Sequence, residues 1–139
     1  EKDEIRLEQD FPPRLPAILC QAQQIQQVLL NLITNARDAL NERYQGFHYD
    51  KILRIGAEAR LRDGRQWVRI TIEDHGFGIP GEIRDRIFDP FFTTKDASKG
   101  TGLGLSISYG IVRDHGGEME LESTPGMPTR FHIWLPAVD

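Results

Sequence analysis

Four polar side chains at helical spacing form the first group of residues that could carry chemistry. Gln27, Asn31, Asn35 and Asp38 lie on one stripe, beside the apolar face of a predicted helix. A carboxamide oxygen can coordinate Mg²⁺ without adding charge, while phosphate and water oxygens complete the octahedron. The stripe therefore favours a half-buried polar site. A surface helix whose amides simply face water fits the same spacing.

The second group is an aspartate followed by a glycine-rich turn. Asp74 alternates with Ile72 on the apolar, inward side of a predicted strand, where a carboxylate needs a hydrogen-bond donor. Gly76 and Gly78 permit positive φ angles and the close approach of a flat ligand. The exocyclic amine of adenine could donate to Asp74, whereas guanine would present a carbonyl there. The alternative is a tight turn in which Asp74 bonds to backbone amides.

The third group is a cluster of glycines that opens a predicted helix. Gly100, Gly102 and Gly104 would combine flexible backbone with the free amides of a helix start, which favours bound phosphate. The spacing matches neither the Walker A loop nor the Rossmann fingerprint. Three phenylalanines within residues 88–92 indicate a lid that docks on the body of the domain. Lys95 could meet a terminal phosphate, although a solvated loop lysine is the alternative.

The elements that must position these groups follow from the periodicity of apolar residues. We predict strands at residues 5–11, 52–62, 66–74, 118–123 and 129–135, and helices at 23–43, near 82–88 and at 103–115. The Asp-Gly pair at 63–64 predicts a hairpin between the second and third strands. Because helices and strands do not alternate regularly, the predicted fold class is α+β, a two-layer sandwich whose mixed sheet carries helices on one face.

The composition is that of one globular domain over residues 1–139. Apolar residues make up 39% and charged residues 27%, which excludes a disordered or fibrous chain. A net charge of −4 argues against charge-driven binding of nucleic acid. The only cysteine, Cys20, cannot form an internal disulfide, so we expect a cytoplasmic domain. Residues 15–36 are uncharged but carry five glutamines, too polar for a bilayer span, so we expect no membrane contact.

In their order and spacing, these groups resemble the motifs of the ATP-binding catalytic domain of sensor histidine kinases, within the Bergerat-fold ATPase group. Residues 27–39 resemble the N box, 74–78 the G1 box, 88–92 the F box and 100–104 the G2 box. Thr129 and Phe131 resemble the terminal nucleotide-contacting motif, although Pro128 stands where the family usually has glycine. The likeness spans nearly the whole chain, and four ordered motifs are far more specific than any one of them.

The resemblance implies that the chain binds ATP and Mg²⁺. Asp74 would recognise adenine, Asn35 would hold the metal, and Asn31 and Lys95 would be catalytic residues at the phosphates. The implied nucleotide-contacting residues are Asn35, Asp38, Asp74, Gly76, Gly78, Ile79, Phe88, Thr94, Lys95, Gly100, Thr101, Gly102, Leu103, Gly104, Leu105 and Thr129.

Position 31 helps to separate relatives within this group. Mismatch-repair ATPases and a heat-shock chaperone resemble this chain but carry a glutamate general base there, and Asn31 cannot take a proton from water. We therefore expect a kinase, in which transfer depends on positioning and on neutralisation of charge. The alternatives are a Bergerat-type ATPase or protein kinase with another target, and a nucleotide-responsive binding module without phosphotransfer.

None of the four histidines lies in the H-[ED]-x-x-x-P context of a phosphoacceptor; they are His48, His75, His115 and His132. The resemblance therefore implies that a separate dimerisation and phosphoacceptor domain, N-terminal in a parent protein, receives the phosphoryl group. A response regulator would act downstream. The parent is expected to be a homodimer and can be membrane-anchored.

Overall fold

A computed structural model of the chain describes residues 4–79, 86–88, 104–124 and 127–138. In chain order the elements are β1 (Arg6–Asp10), α1 (Ala22–Arg43), β2 (Ile52–Arg62), β3 (Arg65–Asp74), α2 (Gly104–Asp114), β4 (Glu118–Glu122) and β5 (Thr129–Pro136). Within the described ranges the strands form one sheet in the order β1-β2-β3-β5-β4. Strand β1 is parallel to β2, and the other neighbouring pairs are antiparallel. The predicted α+β fold with a mixed sheet is confirmed.

The bounds of these seven elements agree with the predicted ones to within one residue at each end. The predicted hairpin between β2 and β3 is also present, with φ of +54° at Asp63 and +74° at Gly64. Two successive positive φ angles are typical of the turn that matches the twist of antiparallel strands. The short helix predicted near residues 82–88 lies outside the described residues except for 86–88, which form a turn.

Helix α1 packs along the sheet because its apolar side chains recur every three or four residues. Its buried residues are Ile25, Val28, Leu32, Ala36 and Leu40. They meet one face of the sheet and the neighbouring helix α2 in a single core, to which Ile72, Val112, Phe131, Ile133 and Leu135 also belong. Burial of each large aliphatic side chain contributes roughly 1.5–3 kcal/mol. Of the helices in the described ranges, neither has the length and apolar character needed to cross a bilayer.

The opposite face of the sheet carries alternating acidic and basic side chains. The Arg54 guanidinium donates to Glu8, with Nη2 2.7 Å from Oε1, and Arg130 Nε donates to Glu73 Oε1 over 2.7 Å. Trp134 is 7% exposed on this face, and the guanidinium of Arg62 lies 4.4 Å from its ring centroid. Both helices in the described ranges therefore lie on the inner face, as expected for a two-layer sandwich.

Candidate functional site

Asp74 is the last residue of β3 and is nearly buried, with 6% of its surface exposed. The Gly76 N–H donates to its Oδ1 over 2.9 Å, the only hydrogen bond its carboxylate makes within the described part of the chain. Because this bond does not offset the loss of solvent, burial raises the pKa of Asp74 to about 6. The inward position predicted for Asp74 is confirmed, and so is the backbone bond foreseen as an alternative. The carboxylate is suited to a further donor that a ligand would bring.

Gly76 presses the turn after β3 against helix α1. A Cβ atom added at Gly76 would lie 2.8 Å from Asp74 Oδ1, 3.0 Å from the Ala39 Cβ and 3.2 Å from the Ala39 carbonyl oxygen. Space rather than backbone conformation therefore requires glycine at this position. Gly78 differs, because its φ of +88° falls in the left-handed region that glycine adopts at little cost.

Strands β4 and β5 form the other wall of this turn. Thr129 is buried and lies directly opposite Asp74 in the register of β3 and β5. The Ile79 N–H donates to Ser123 Oγ over 3.0 Å, and Ser123 Oγ lies 3.5 Å from Thr129 Oγ1. The fold thus brings together Asp74, Ile79 and Thr129, which sequence analysis assigned to one site from distant segments.

The predicted polar stripe of α1 is half-buried at Asn31, Asn35 and Asp38, whereas its first member, Gln27, is exposed. The Asn31 amide nitrogen donates to Ser108 Oγ over 3.1 Å and to the Gly104 carbonyl oxygen over 3.4 Å. Asn31 therefore connects α1 to the first turn of α2. The stripe and the glycine-rich turn therefore lie along the same side of α1.

Phe88 docks on the body of the domain, as predicted for an aromatic anchor. Its ring stacks on Tyr109 of α2 with a centroid separation of 5.0 Å and meets Phe131 edge-on at 6.4 Å. Gly104 begins α2, and Leu105 packs against the core. The other residues predicted from the lid and the glycine cluster lie outside the described residues: Thr94, Lys95, Gly100, Thr101, Gly102 and Leu103.

Three side chains that sequence analysis missed hold this site together. Ser108 is fully buried and accepts the hydrogen bond from the first asparagine of the stripe. Ser123 bridges the turn and β5, as described above. The Arg43 guanidinium donates to the backbone carbonyls of His75 and Gly76 over 3.1 and 2.9 Å. The only signal in the sequence was the place of Arg43 on the same helical row as the asparagines.

Glu73 and Asp74 are adjacent acids with opposite surroundings. Glu73 lies on the outer face of the sheet, where Arg130 Nε is 2.7 Å from Oε1 and His75 Nε2 is 3.0 Å from Oε2. Burial alone would raise the pKa of Glu73, but the hydrogen bonds with His75 and Arg130 and the charge of Arg54 lower it below its ordinary range. Glu73 is therefore paired on the outer face, whereas the Asp74 carboxylate has one backbone partner within the described residues.

Asn35 is the residue that sequence analysis assigned to a divalent cation. Among the described residues, no group of three or more histidine, cysteine or acidic side chains could hold a metal ion. Asn35 instead carries a neutral amide group on the half-buried stripe. Such a donor fits Mg²⁺ that keeps phosphate and water oxygens as its other ligands.

Comparison with known proteins identifies the family that has this fold and site. The model of the family described as "Histidine kinase-, DNA gyrase B-, and HSP90-like ATPase" matches residues 20–139. The chain therefore belongs to this family of ATPases, and the relatives named next are sensor kinases, so it is an ATPase domain of the histidine-kinase type.

Two curated relatives illustrate the similarity. The sensor kinase CckA of Brucella abortus (strain 2308) is 44% identical over 117 residues, which cover 81% of this chain and 12% of that protein. The sensory histidine kinase/phosphatase NtrB of Vibrio alginolyticus is 39% identical over 137 residues, 95% of this chain and 37% of that protein. The chain thus spans about an eighth of the length of CckA and little more than a third of that of NtrB.

Solved structures agree with the fold. The catalytic domain of the histidine kinase ThkA superposes with a TM-score of 0.77 at 31% identity, covering 98% of this chain and 81% of that chain. Full-length ShkA in complex with AMPPNP superposes with a TM-score of 0.74 at 25% identity, covering 99% of this chain and 27% of that chain. The expected histidine-kinase ATP-binding fold is confirmed.

The raised pKa of Asp74 predicts how stability depends on pH. The folded-state pKa of about 6 exceeds the ordinary value of 3.8, so the folded chain holds the proton more tightly than the unfolded chain. The free energy of unfolding therefore falls as pH rises from about 4 to about 6, and the loss levels off at about 3 kcal/mol. Asp74→Asn cannot ionise, so we expect its stability relative to wild type to rise by roughly 2 kcal/mol between pH 4 and 8.

Urea unfolding followed by the fluorescence of Trp67 and Trp134 measures this difference. A difference between variant and wild type that stays constant from pH 4 to 8 would contradict the assignment of the raised pKa to Asp74.

The close approach of the turn to α1 predicts opposite effects of alanine at two glycines. Gly76→Ala should lower the free energy of unfolding by about 1–3 kcal/mol, because its methyl group meets Asp74 and Ala39 at 3.2 Å or less. Gly110→Ala is the matched control in helix α2, where nothing lies within 4 Å of the added atom. It should stabilise the chain by roughly 0.5–1 kcal/mol. Equal urea midpoints for Gly76→Ala and wild type would show that the turn is not held against α1.

Proposed function

We propose that this chain binds Mg-ATP and donates its γ-phosphoryl group to a histidine on a separate dimerisation and phosphoacceptor domain, in two-component signal transduction. The observation that carries the proposal is the buried Asp74 carboxylate, which has one backbone hydrogen bond within the described residues and lies under a turn packed against α1. Membership of the ATPase family and the sensor-kinase relatives support it. We assign this activity to one catalytic domain over residues 1–139.

Base recognition falls to Asp74 in this proposal. With a pKa of about 6, the group is mainly a carboxylate at neutral pH and accepts a hydrogen bond from the exocyclic amine of adenine. The carbonyl of guanine would instead face an acceptor with no proton to share. Thr129, opposite Asp74 in the sheet, would lie near the base. The neighbour ShkA, solved with AMPPNP, supports an adenine nucleotide.

The phosphates and the metal are assigned to Asn31 and Asn35, on the polar stripe of α1. Asn35 would hold Mg²⁺, which when bound neutralises charge on the phosphates. The nitrogen of the Asn31 carboxamide donates to α2, so its oxygen would act by binding the metal or a metal-bound water beside the phosphates. Lys95 would stabilise the transferred group. The further nucleotide contacts in the proposal are Asp38, Gly76, Gly78, Ile79, Phe88, Thr94, Gly100, Thr101, Gly102, Leu103, Gly104 and Leu105.

Contacts of the four histidines support an acceptor outside this chain. His132 is hydrogen-bonded to Thr71 and Glu122 on the outer face of the sheet, and His75 to Glu73. The other two bind backbone. His115 Nε2 accepts from the Gln21 N–H while Nδ1 donates to the Ile111 carbonyl, and His48 Nδ1 accepts from the Asp50 N–H. Each ring therefore has a structural partner.

The partners follow from the proposed reaction. A phosphoacceptor domain N-terminal to this one in a homodimeric parent would receive the phosphoryl group, and a response regulator would take it on. The small share of CckA and NtrB that the chain covers supports a longer parent protein. We place this domain in the cytoplasm, without contact to membrane or nucleic acid, and the parent can be membrane-anchored.

Removal of the Asp74 charge tests base recognition. Asp74→Asn should weaken Mg-ATP binding at least tenfold, because its amide can present a donor where adenine also donates. Glu73→Gln, which removes the neighbouring charge on the outer face, should leave the affinity within threefold. Titration calorimetry measures both. An Asp74→Asn affinity within threefold of wild type would refute the adenine assignment.

Asn31→Glu in the parent protein tests the proposed role of the stripe. The new carboxylate loses the two donor contacts to α2 and faces the Gly104 carbonyl oxygen, so phosphorylation of the phosphoacceptor domain should fall about tenfold. Gln26→Glu is the control, since it adds the same charge at an exposed position outside the stripe. The measurement is the initial rate of labelling from radioactive ATP.

Three other outcomes would count against parts of the proposal. Unchanged labelling by Asn31→Glu would remove the role of Asn31. Sustained ATP turnover by the 139-residue chain alone would favour an ATPase. ATP that stays intact beside a supplied phosphoacceptor domain would favour a binding module.

A further inference from the structure

Arg43 joins the end of helix α1 to the backbone of the turn that follows β3. Its Nη1 donates to the carbonyl oxygens of His75 at 3.1 Å and Gly76 at 2.9 Å. The guanidinium carbon also lies 5.0 Å from the ring centroid of Tyr44 and 5.7 Å from that of Phe77. Two carbonyls and two aromatic rings therefore hold a side chain that is otherwise exposed.

Arg43 is the last member of a row of residues along α1. Asn31, Asn35, Ala39 and Arg43 follow at intervals of four, which places them on one ridge of the helix. The first of them binds α2, and the last two contact the turn at Gly76, Ala39 by close packing and Arg43 by hydrogen bonding. The ridge that carries the proposed metal and phosphate residues therefore ends on the turn beside the base-recognising acid.

Gly76 connects Arg43 to Asp74 through hydrogen bonds on both sides of the residue. Its carbonyl accepts from Arg43, and its N–H donates to Asp74 Oδ1 over 2.9 Å. The orientation of this one residue therefore decides which carboxylate oxygen is bonded to the backbone and which is left to a ligand. The close packing of Gly76 on Ala39 limits where the turn can lie, and Arg43 adds hydrogen bonds that orient its carbonyl groups.

We propose that Arg43 is a positioning residue for base selectivity, which acts through Gly76 to hold Asp74 in the geometry that accepts adenine. The inference rests on the proposed function, in which Asp74 recognises the base. Arg43 itself makes no contact with the nucleotide in this scheme. Its loss should therefore weaken binding of the adenine nucleotide selectively rather than binding of every nucleotide triphosphate.

The test compares Arg43→Ala and Arg43→Lys with wild type in the 139-residue chain. Competition against a fluorescent ATP analogue gives Kd for both Mg-ATP and Mg-GTP. Arg43→Ala should raise the Kd for ATP about tenfold and that for GTP less than twofold. Arg43→Lys, whose ammonium can donate to the carbonyls but lacks the planar group beside Tyr44 and Phe77, should give an intermediate loss. Arg113→Ala is the matched control, because Arg113 is the basic residue in the last turn of α2, and it should change neither Kd.

A double variant separates positioning from a merely structural role. If Arg43 acts through Asp74, Arg43→Ala should have no further effect on the ATP-to-GTP preference in an Asp74→Asn background. A further loss of preference in that background would overturn the inference. So would equal losses for ATP and GTP, or no loss, in Arg43→Ala.

Two further outcomes of the test also have a defined interpretation. Should Arg43→Ala fail to fold, the preference of Arg43→Lys decides, and an unchanged preference in that variant overturns the inference. Failure of the wild-type chain to bind ATP would instead overturn the proposed function, which is a different observation from altered preference.

Discussion

The approach of Gly76 to helix α1 is the contact on which the rest of the site depends. The space there is too small for a methyl group, because a Cβ atom would come within 2.8 Å of the Asp74 carboxylate and within 3.2 Å of the helix backbone. Helix and turn are consequently fixed with respect to each other. One element carries the asparagines and the other carries the acid, so the geometry of the whole pocket follows from this single close packing.

Two adjacent acids at the end of β3 lie on opposite faces of the sheet and have different surroundings. Glu73 lies among Arg54, His75 and Arg130, which link β2, β3 and β5 on the outer face. These charge-assisted contacts stabilise the end of β3 on the outer face of the sheet. Asp74 faces the core side with a single backbone bond within the described residues, and burial keeps its pKa high. Successive residues of one strand therefore serve opposite faces, Glu73 in ion pairs on the outer face and Asp74 in the proposed binding site on the inner face.

Much of this arrangement could be predicted from the sequence, because its signals are local. Apolar spacing fixed the course of α1 and of the strands, and strand alternation put Asp74 on the inner face. Arg43, Ser108 and Ser123 escaped prediction, since each acts by a hydrogen bond to a group remote in sequence. Serine and arginine are ordinary residues in helices and beside strands, and their partners become visible only when distances in space are known.

The hairpin between β2 and β3 has a practical consequence. Its two-residue turn at Asp63 and Gly64 projects into open space, with nothing within 4 Å of a Cβ added at Gly64. Strand β3 runs from Arg65 to Asp74, so roughly 30 Å of extended chain separate the two ends. A short epitope or a dye-bearing peptide inserted into this loop would lie at the end of β3 that is far from Asp74. It can therefore report on the chain without contacting the candidate site.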